Sequence, residues 1–136
     1  MNHKQAPLTD RYINACRHPA IQNLKPQLTE ADLVLTETDD VKLVADIPNA
    51  VAIQEKLIWL PTLEQLLSAL RGQVTAPIVW RECSTEGWEC IVTISEWAAD
   101  YETYIDTQRR FVGTEPKQVA IEALGATLGI GERWMV

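Results

Sequence analysis

The segment that most limits how this chain can fold is Leu57-Ile58-Trp59-Leu60-Pro61-Thr62-Leu63-Glu64-Gln65-Leu66-Leu67-Ser68-Ala69-Leu70-Arg71-Gly72. It joins a short apolar stretch to a helix that carries its own start and stop signals. Thr62 and Gln65 have the spacing of a capping box, in which each side chain meets the other's free backbone N–H. Leu63, Leu66, Leu67 and Leu70 recur at i, i+3, i+4 and i+7, one apolar stripe that must face a core. Gly72 stands where a left-handed residue past the helix end is wanted. A helix over 62–71 is therefore expected, with its leucines inside.

Elsewhere the dominant period is two. Ala31 to Thr36 and Val41 to Ala45 flank Thr38-Asp39-Asp40, a sequence of turn formers, and read as a hairpin. Pro77 to Cys83 and Trp88 to Glu96 read as a second hairpin around Thr85-Glu86-Gly87. A two-residue Glu86-Gly87 turn would set Cys83 opposite Cys90 but would need Glu86 at positive φ, which a non-glycine resists. A type I turn at Thr85-Glu86 with Gly87 as bulge residue avoids that. It also gathers Ile78, Trp80, Trp88, Cys90, Val92 and Ile94 on one face, with Arg81, Glu89 and Thr93 on the other. Cys83 and Cys90 then point to opposite faces, so no disulfide is expected between them.

Tyr101 to Asp106 reads as a further strand after a bend at Ala98-Ala99-Asp100, with Arg109 to Val112 as its continuation. A last helix is expected from Glu115 to about Leu128. Pro116 lies in its first turn, Ala120, Ile121, Leu124 and Leu128 face inward, and Gly129 and Gly131 end it. Near the start, residues 8–17 read as a short helix capped by Thr9 or Asp10, with Tyr12, Ile13 and Cys16 at helical spacing. His18 before Pro19 ends it. Ala20 to Leu24 forms one more turn, and Val51 to Gln54 fits either helix or strand. The resulting expectation is an α+β fold: one mainly antiparallel sheet built from the hairpins and strand 101–106, with helices 62–71 and 115–128 on one face. Its other face is acidic. No repeat, low-complexity run or linker divides the chain, so residues 1–136 are expected to form a single domain.

The chain carries 12 Lys and Arg against 19 Asp and Glu, a net charge of −7. Duplex nucleic acid, whose binding draws on cationic side chains, is not an expected partner. Acid is concentrated: Glu86, Glu89, Glu96, Asp100, Glu102 and Asp106 fall between Ser84 and Asp106 with no Lys or Arg among them. Solvated sheet faces and turns account for such runs; the sharper reading is a surface suited to a basic partner. No stretch of 18 apolar residues is present, so no membrane partner is expected. An odd count of three cysteines, and a start without a secretory apolar core, point to reduced thiols in a cytoplasmic protein.

Three stretches carry a resemblance. They are Ala15 to Gln22 around His18-Pro19-Ala20-Ile21-Gln22, Trp59 to Leu66, and Gly113-Thr114-Glu115-Pro116 opening an alanine-rich helix. In that order, with a β segment and a Trp-containing hairpin between them, the chain resembles small uncharacterised proteins of phages and prophages over most of its length. It departs from them at Ala31-Asp32, where Gly-Asp is expected. The resemblance implies a biological context and no mechanism, and it carries over no functional residue.

No phosphate-loop, dinucleotide, kinase, HExxH or GxSxG pattern occurs. Gly129-Ile130-Gly131 follows a helix and lacks a third glycine. Cys16, His18, Cys83 and Cys90 are the set a Cys3His zinc site would use, but the six residues between Cys83 and Cys90 exceed the usual spacing. Buried thiols acting as small hydrophobes fit better. Cys16 with His18 as nucleophile and base would point apart at a helix end. Glu96, Asp100, Glu102 and Asp106 could serve a hard cation, without the spacing of a Ca²⁺ loop. No catalytic residue, metal site or cofactor is therefore assigned. Of five tryptophans, Trp59 and Trp80 sit in apolar patterns and are expected in the core. Trp97 and Trp134 lie where patterning does not bury them and are the candidate partner-binding residues. The leading expectation is a non-enzymatic accessory protein that binds an unidentified protein, with self-association open. An acidic inhibitor or nucleic-acid mimic seated in a basic cleft, and a small metal-dependent enzyme using the 96–106 acids, are the alternatives.

Overall fold

The computed structural model describes residues 8–130 other than 75, 84 and 86. They fall into two compact units that meet in sequence between Pro61 and Thr62. The fold is α+β, with two antiparallel three-stranded sheets. The one sheet expected from the sequence is thus two, because adjacency of hairpins is a long-range property that local alternation does not encode.

In the first unit, α1 (Asp10–Cys16) starts where Thr9 Oγ1 accepts from Tyr12 N at 3.1 Å. His18 ends it and caps the next turn: its Nδ1 accepts from Ala20 N at 3.1 Å, and Pro19 opens α2 (Pro19–Gln22). Strands β1 (Leu33–Leu35), β2 (Val41–Leu43) and β3 (Ile58–Leu60) form a sheet in the order β2-β1-β3. The β1–β2 turn closes with Asp39 at φ 63°, a conformation that Asp tolerates better than most residues. Residues 51–53, ambiguous in sequence, belong to α3 (Ala50–Ile53). Val34, Ala50 and Leu57 anchor a core completed by Leu28, Val44, Ile47 and Ile53.

Edge strand β3 is closed by a side chain. Gln22 Oε1 accepts from Trp59 N at 2.9 Å, and Gln22 Nε2 donates to Trp59 O at 2.9 Å and Cys16 O at 2.6 Å. The amide therefore takes the place of a neighbouring strand on Trp59 and holds the end of α1 to it. The His-Pro-Ala-Ile-Gln run is a folding device: a cap, a helix start, a fully buried Ile21 and an edge clamp.

In the second unit, α4 (Leu63–Gln73) has both halves of the capping box, Gln65 N to Thr62 Oγ1 at 3.1 Å and Thr62 N to Gln65 Oε1 at 2.9 Å. Leu66, Leu67 and Leu70 are buried. Gly72 does not stop this helix. It lies inside the last turn, and extended Val74 ends it. Strands β4 (Val79–Cys83), β5 (Gly87–Ala98) and β6 (Thr103–Gly113) follow in the order β4-β5-β6, and α5 (Pro116–Thr127) closes the unit. The strand expected at 101–106 and its continuation are one strand beginning at Thr103. α5 packs against β5 and β6, and α4 packs against α5. Gly129, at φ 77°, ends α5 in a Schellman motif: Gly129 N donates to Ala126 O at 3.2 Å and Ile130 N to Gly125 O at 3.0 Å.

Cys83 lies opposite Gly87 and Trp80 opposite Cys90. This closure differs from both turns weighed for the sequence, yet it keeps the expected faces. Cys90 and Val92, fully buried, share one face, and Arg81, Glu89 and Thr93 lie on the other. Trp80 is half-buried rather than in the core and stacks on Trp88 with ring centroids 5.4 Å apart. Gly87 is obligatory. At φ 94° an added Cβ would come within 2.5 Å of Gly113 O and 2.8 Å of Thr114 Cα.

Candidate functional site

Among the described residues β4 pairs only with Gly87–Ile91. Beyond that point β5 and β6 run on together through Ala98 and Thr103, a two-stranded arm. Its tip turns through Ala98 to Thr103, with Tyr101 N donating to Ala98 O at 3.2 Å and Glu102 at φ 49°. Because opposite residues in an antiparallel pair share a face, the 97↔104 register brings Trp97 against Tyr104. The two rings meet edge to face at 5.2 Å, a favoured aromatic geometry. Trp97 is 57% exposed, Tyr104 67% and Tyr101 75%. Ile105, on the opposite face, is 42% exposed. Ser95 Oγ donates to Asp106 across the strands.

Where the arm joins the body, the same face is closed by charge. Glu89 is 2% exposed and accepts from Arg81 Nε at 2.5 Å and from Arg110 Nε on its other oxygen. Hydrogen bonds from Arg110 first and Arg81 second hold the Glu89 carboxyl below the usual carboxylate range. Glu89 is therefore not part of a solvated acidic run. The outer face, expected to be acidic, carries Arg81 and Arg110 beside Glu89 at its base, and Asp106 lies on it toward the tip.

Trp97 is exposed on the arm, and Trp134 lies outside the described residues. Cys16 is fully buried beside Tyr12, whose hydroxyl donates to Pro61 O at 2.7 Å. Burial first, then the Cys16 thiol, pushes the Tyr12 hydroxyl above the ordinary tyrosine range. All three cysteines are free thiols. Burial pushes Cys90 up to about 11, the opposite of an activated nucleophile. Glu96 and Asp106 sit on opposite faces of the arm, opposite Ile105 and Ser95 respectively. Among the described residues no three His, Cys, Asp or Glu side chains gather as a metal site. An open cleft of about 580 Å³ in the first unit is lined in part by Gln22, Lys25 and Glu55. The Lys25 ammonium there donates to Gln54 O at 2.9 Å and Leu57 O at 2.8 Å. Its proton affinity is lowered by burial, with Glu55 opposing.

Tyr101, Tyr104 and Ile105 carry no motif in the sequence. The available signal is the position of Tyr104 within a strand that follows Trp97 after a short bend. Among the described residues no helix is long and apolar enough to cross a membrane. Compared with protein-family models, curated proteins and solved structures, the chain matches none.

Proposed function

We propose that this chain is a non-enzymatic accessory protein of the phage or prophage type, acting in the cytoplasm, that binds another protein through the distal arm of β5 and β6. The observation that carries this reading is the Trp97–Tyr104 pair, in edge-to-face contact on an arm whose side chains are exposed on both faces. A two-stranded ribbon is marginal by itself in water, and Trp and Tyr are enriched among the residues that dominate binding energy at interfaces. The groups with shifted proton affinity support a non-catalytic reading. Tyr12, Lys25 and Glu89 are engaged by backbone carbonyls or arginines, and Cys90 is sealed in the core.

The test is affinity capture from nuclease-treated lysate, comparing the tagged chain with a Trp97→Ser, Tyr104→Ser variant. A stoichiometric protein retained by the first and lost from the second is the expected result. No partner for either, or one retained equally by both, would overturn the reading. A second reading, occupation of a nucleic-acid-binding cleft, is favoured by Glu96, Asp100, Glu102 and Asp106 around the tip. It requires the captured partner to be released by high salt and by competing DNA.

A further inference from the structure

The arm has an outer edge as well as faces. β6 is the last strand of its sheet, and among the described residues no strand pairs with its outer side. It is 11 residues long and, apart from its final Gly113, contains no Pro, Gly or Lys. Long edge strands are protected by Pro, bulges, coverage or charge; β6 carries only charge, in Asp106, Arg109 and Arg110, and a partner of complementary charge turns that protection into pairing. Exposed Tyr104, Ile105 and Val112 lie along it.

We propose that two copies of this chain associate by antiparallel pairing of their β6 strands about Gln108, giving one continuous six-stranded sheet. The strand, Thr103-Tyr104-Ile105-Asp106-Thr107-Gln108-Arg109-Arg110-Phe111-Val112-Gly113, is complementary to itself in this register. Asp106 faces Arg110 of the second copy, Ile105 faces Phe111 and Tyr104 faces Val112, and a two-fold axis makes each pair twice. Opposite charges and apolar pairs directly across strands each stabilise an antiparallel ladder. Neighbouring registers that keep like faces together lose this match. Centring on Thr107 sets Tyr104 and Ile105 against arginines, and centring on Arg109 sets that arginine against itself. A foreign segment would need the same alternation of charge by coincidence, whereas a second copy supplies it. The pairing uses the main-chain edge of β6 and does not rest on partner binding by the Trp97–Tyr104 face, although Tyr104 borders both.

Light scattering on the full chain over a concentration series is expected to show a dimer. Asp106→Arg places like charges across both symmetric pairs and is expected to raise the dissociation constant by at least about tenfold, with unchanged circular dichroism. In a Cys83→Ser background, Gln108→Cys brings the two new thiols opposite each other on the axis. Mild oxidation then gives a covalent dimer, whereas Asp100→Cys at the tip gives none. A wild-type monomer throughout the series overturns the proposal. So does a dimer that survives Asp106→Arg and fails to cross-link at position 108.

Discussion

The β5–β6 ladder is one uninterrupted run of 11 residue pairs, and its two ends are built on different terms. At the base a third strand adds to the ladder, α5 covers one face, and Glu89 between two arginines closes the other. Cys90 and Val92 are fully buried there. Toward the tip the third strand is gone, and Trp97, Tyr104 and Ile105 stand exposed on the two faces. Hydrogen bonding between the strands is common to both ends, so it does not distinguish them. Coverage does. The difference shows that the strands run longer than their own core requires, and that the excess length carries an edge-to-face aromatic pair into solvent.

The largest effect is expected at the base. Leu124→Ala empties a fully buried position on α5 and should cost about 2–5 kcal/mol in urea unfolding. A loss under about 1 kcal/mol would mean that the base is not the stable end. Next comes Gly87→Ala. The new Cβ would meet the backbone of Gly113 and Thr114 at positive φ, and a cost of about 1–3 kcal/mol is expected. Gly129→Ala is its control, because its φ of 77° strains an alanine but nothing lies within 4 Å; its cost should be smaller, about 1 kcal/mol.

A pH titration separates the ends more finely. The Cys90 thiol is raised to about 11 in the folded chain, against about 8.5 when unfolded. A raised thiol favours the neutral, buried form, so its contribution is complete below pH of about 8.5 and is lost as pH climbs toward 11. Cys90→Ala should flatten this part of the stability profile, while substitutions on the arm should leave its slope unchanged. Glu89 has the opposite sign: its lowered proton affinity gives a contribution present above the ordinary carboxylate range and lost as pH falls below it. Stability of Glu89→Gln should therefore depend less on pH in acid. The smallest effect on folding is expected at the tip, where Trp97→Ser should change unfolding free energy by no more than about 1 kcal/mol. A larger loss would place Trp97 among the residues that hold the fold.

Local chemistry made some of this legible. Thr62 and Gln65 announced the start of α4 because a capping box is complete within four residues. Period-two alternation assigned Cys90 and Val92 to one face and Glu89 to the other, and those faces survived a different hairpin closure. The same alternation left register and neighbours open. In the sequence Glu89 looks solvated, because its second arginine, Arg110, lies 21 residues away on a strand whose pairing no local signal fixes. Gly72 and Gly129 look alike in sequence, but only Gly129 adopts the left-handed conformation that ends a helix. Exposure of Trp97 is legible from its position beyond the apolar pattern. Its pairing with Tyr104 is not, because the bend at Ala98 to Asp100 does not reveal how many residues separate the strands.

The most direct test of the arm as a binding surface is site-specific photocross-linking in the cell of origin. A benzoylphenylalanine replaces Tyr101 at the tip in one strain and Val51, an equally exposed residue of the first unit, in another. An adduct with a different protein is expected from position 101 and none from position 51. Adducts of equal yield from both positions, or from position 51 alone, would contradict it.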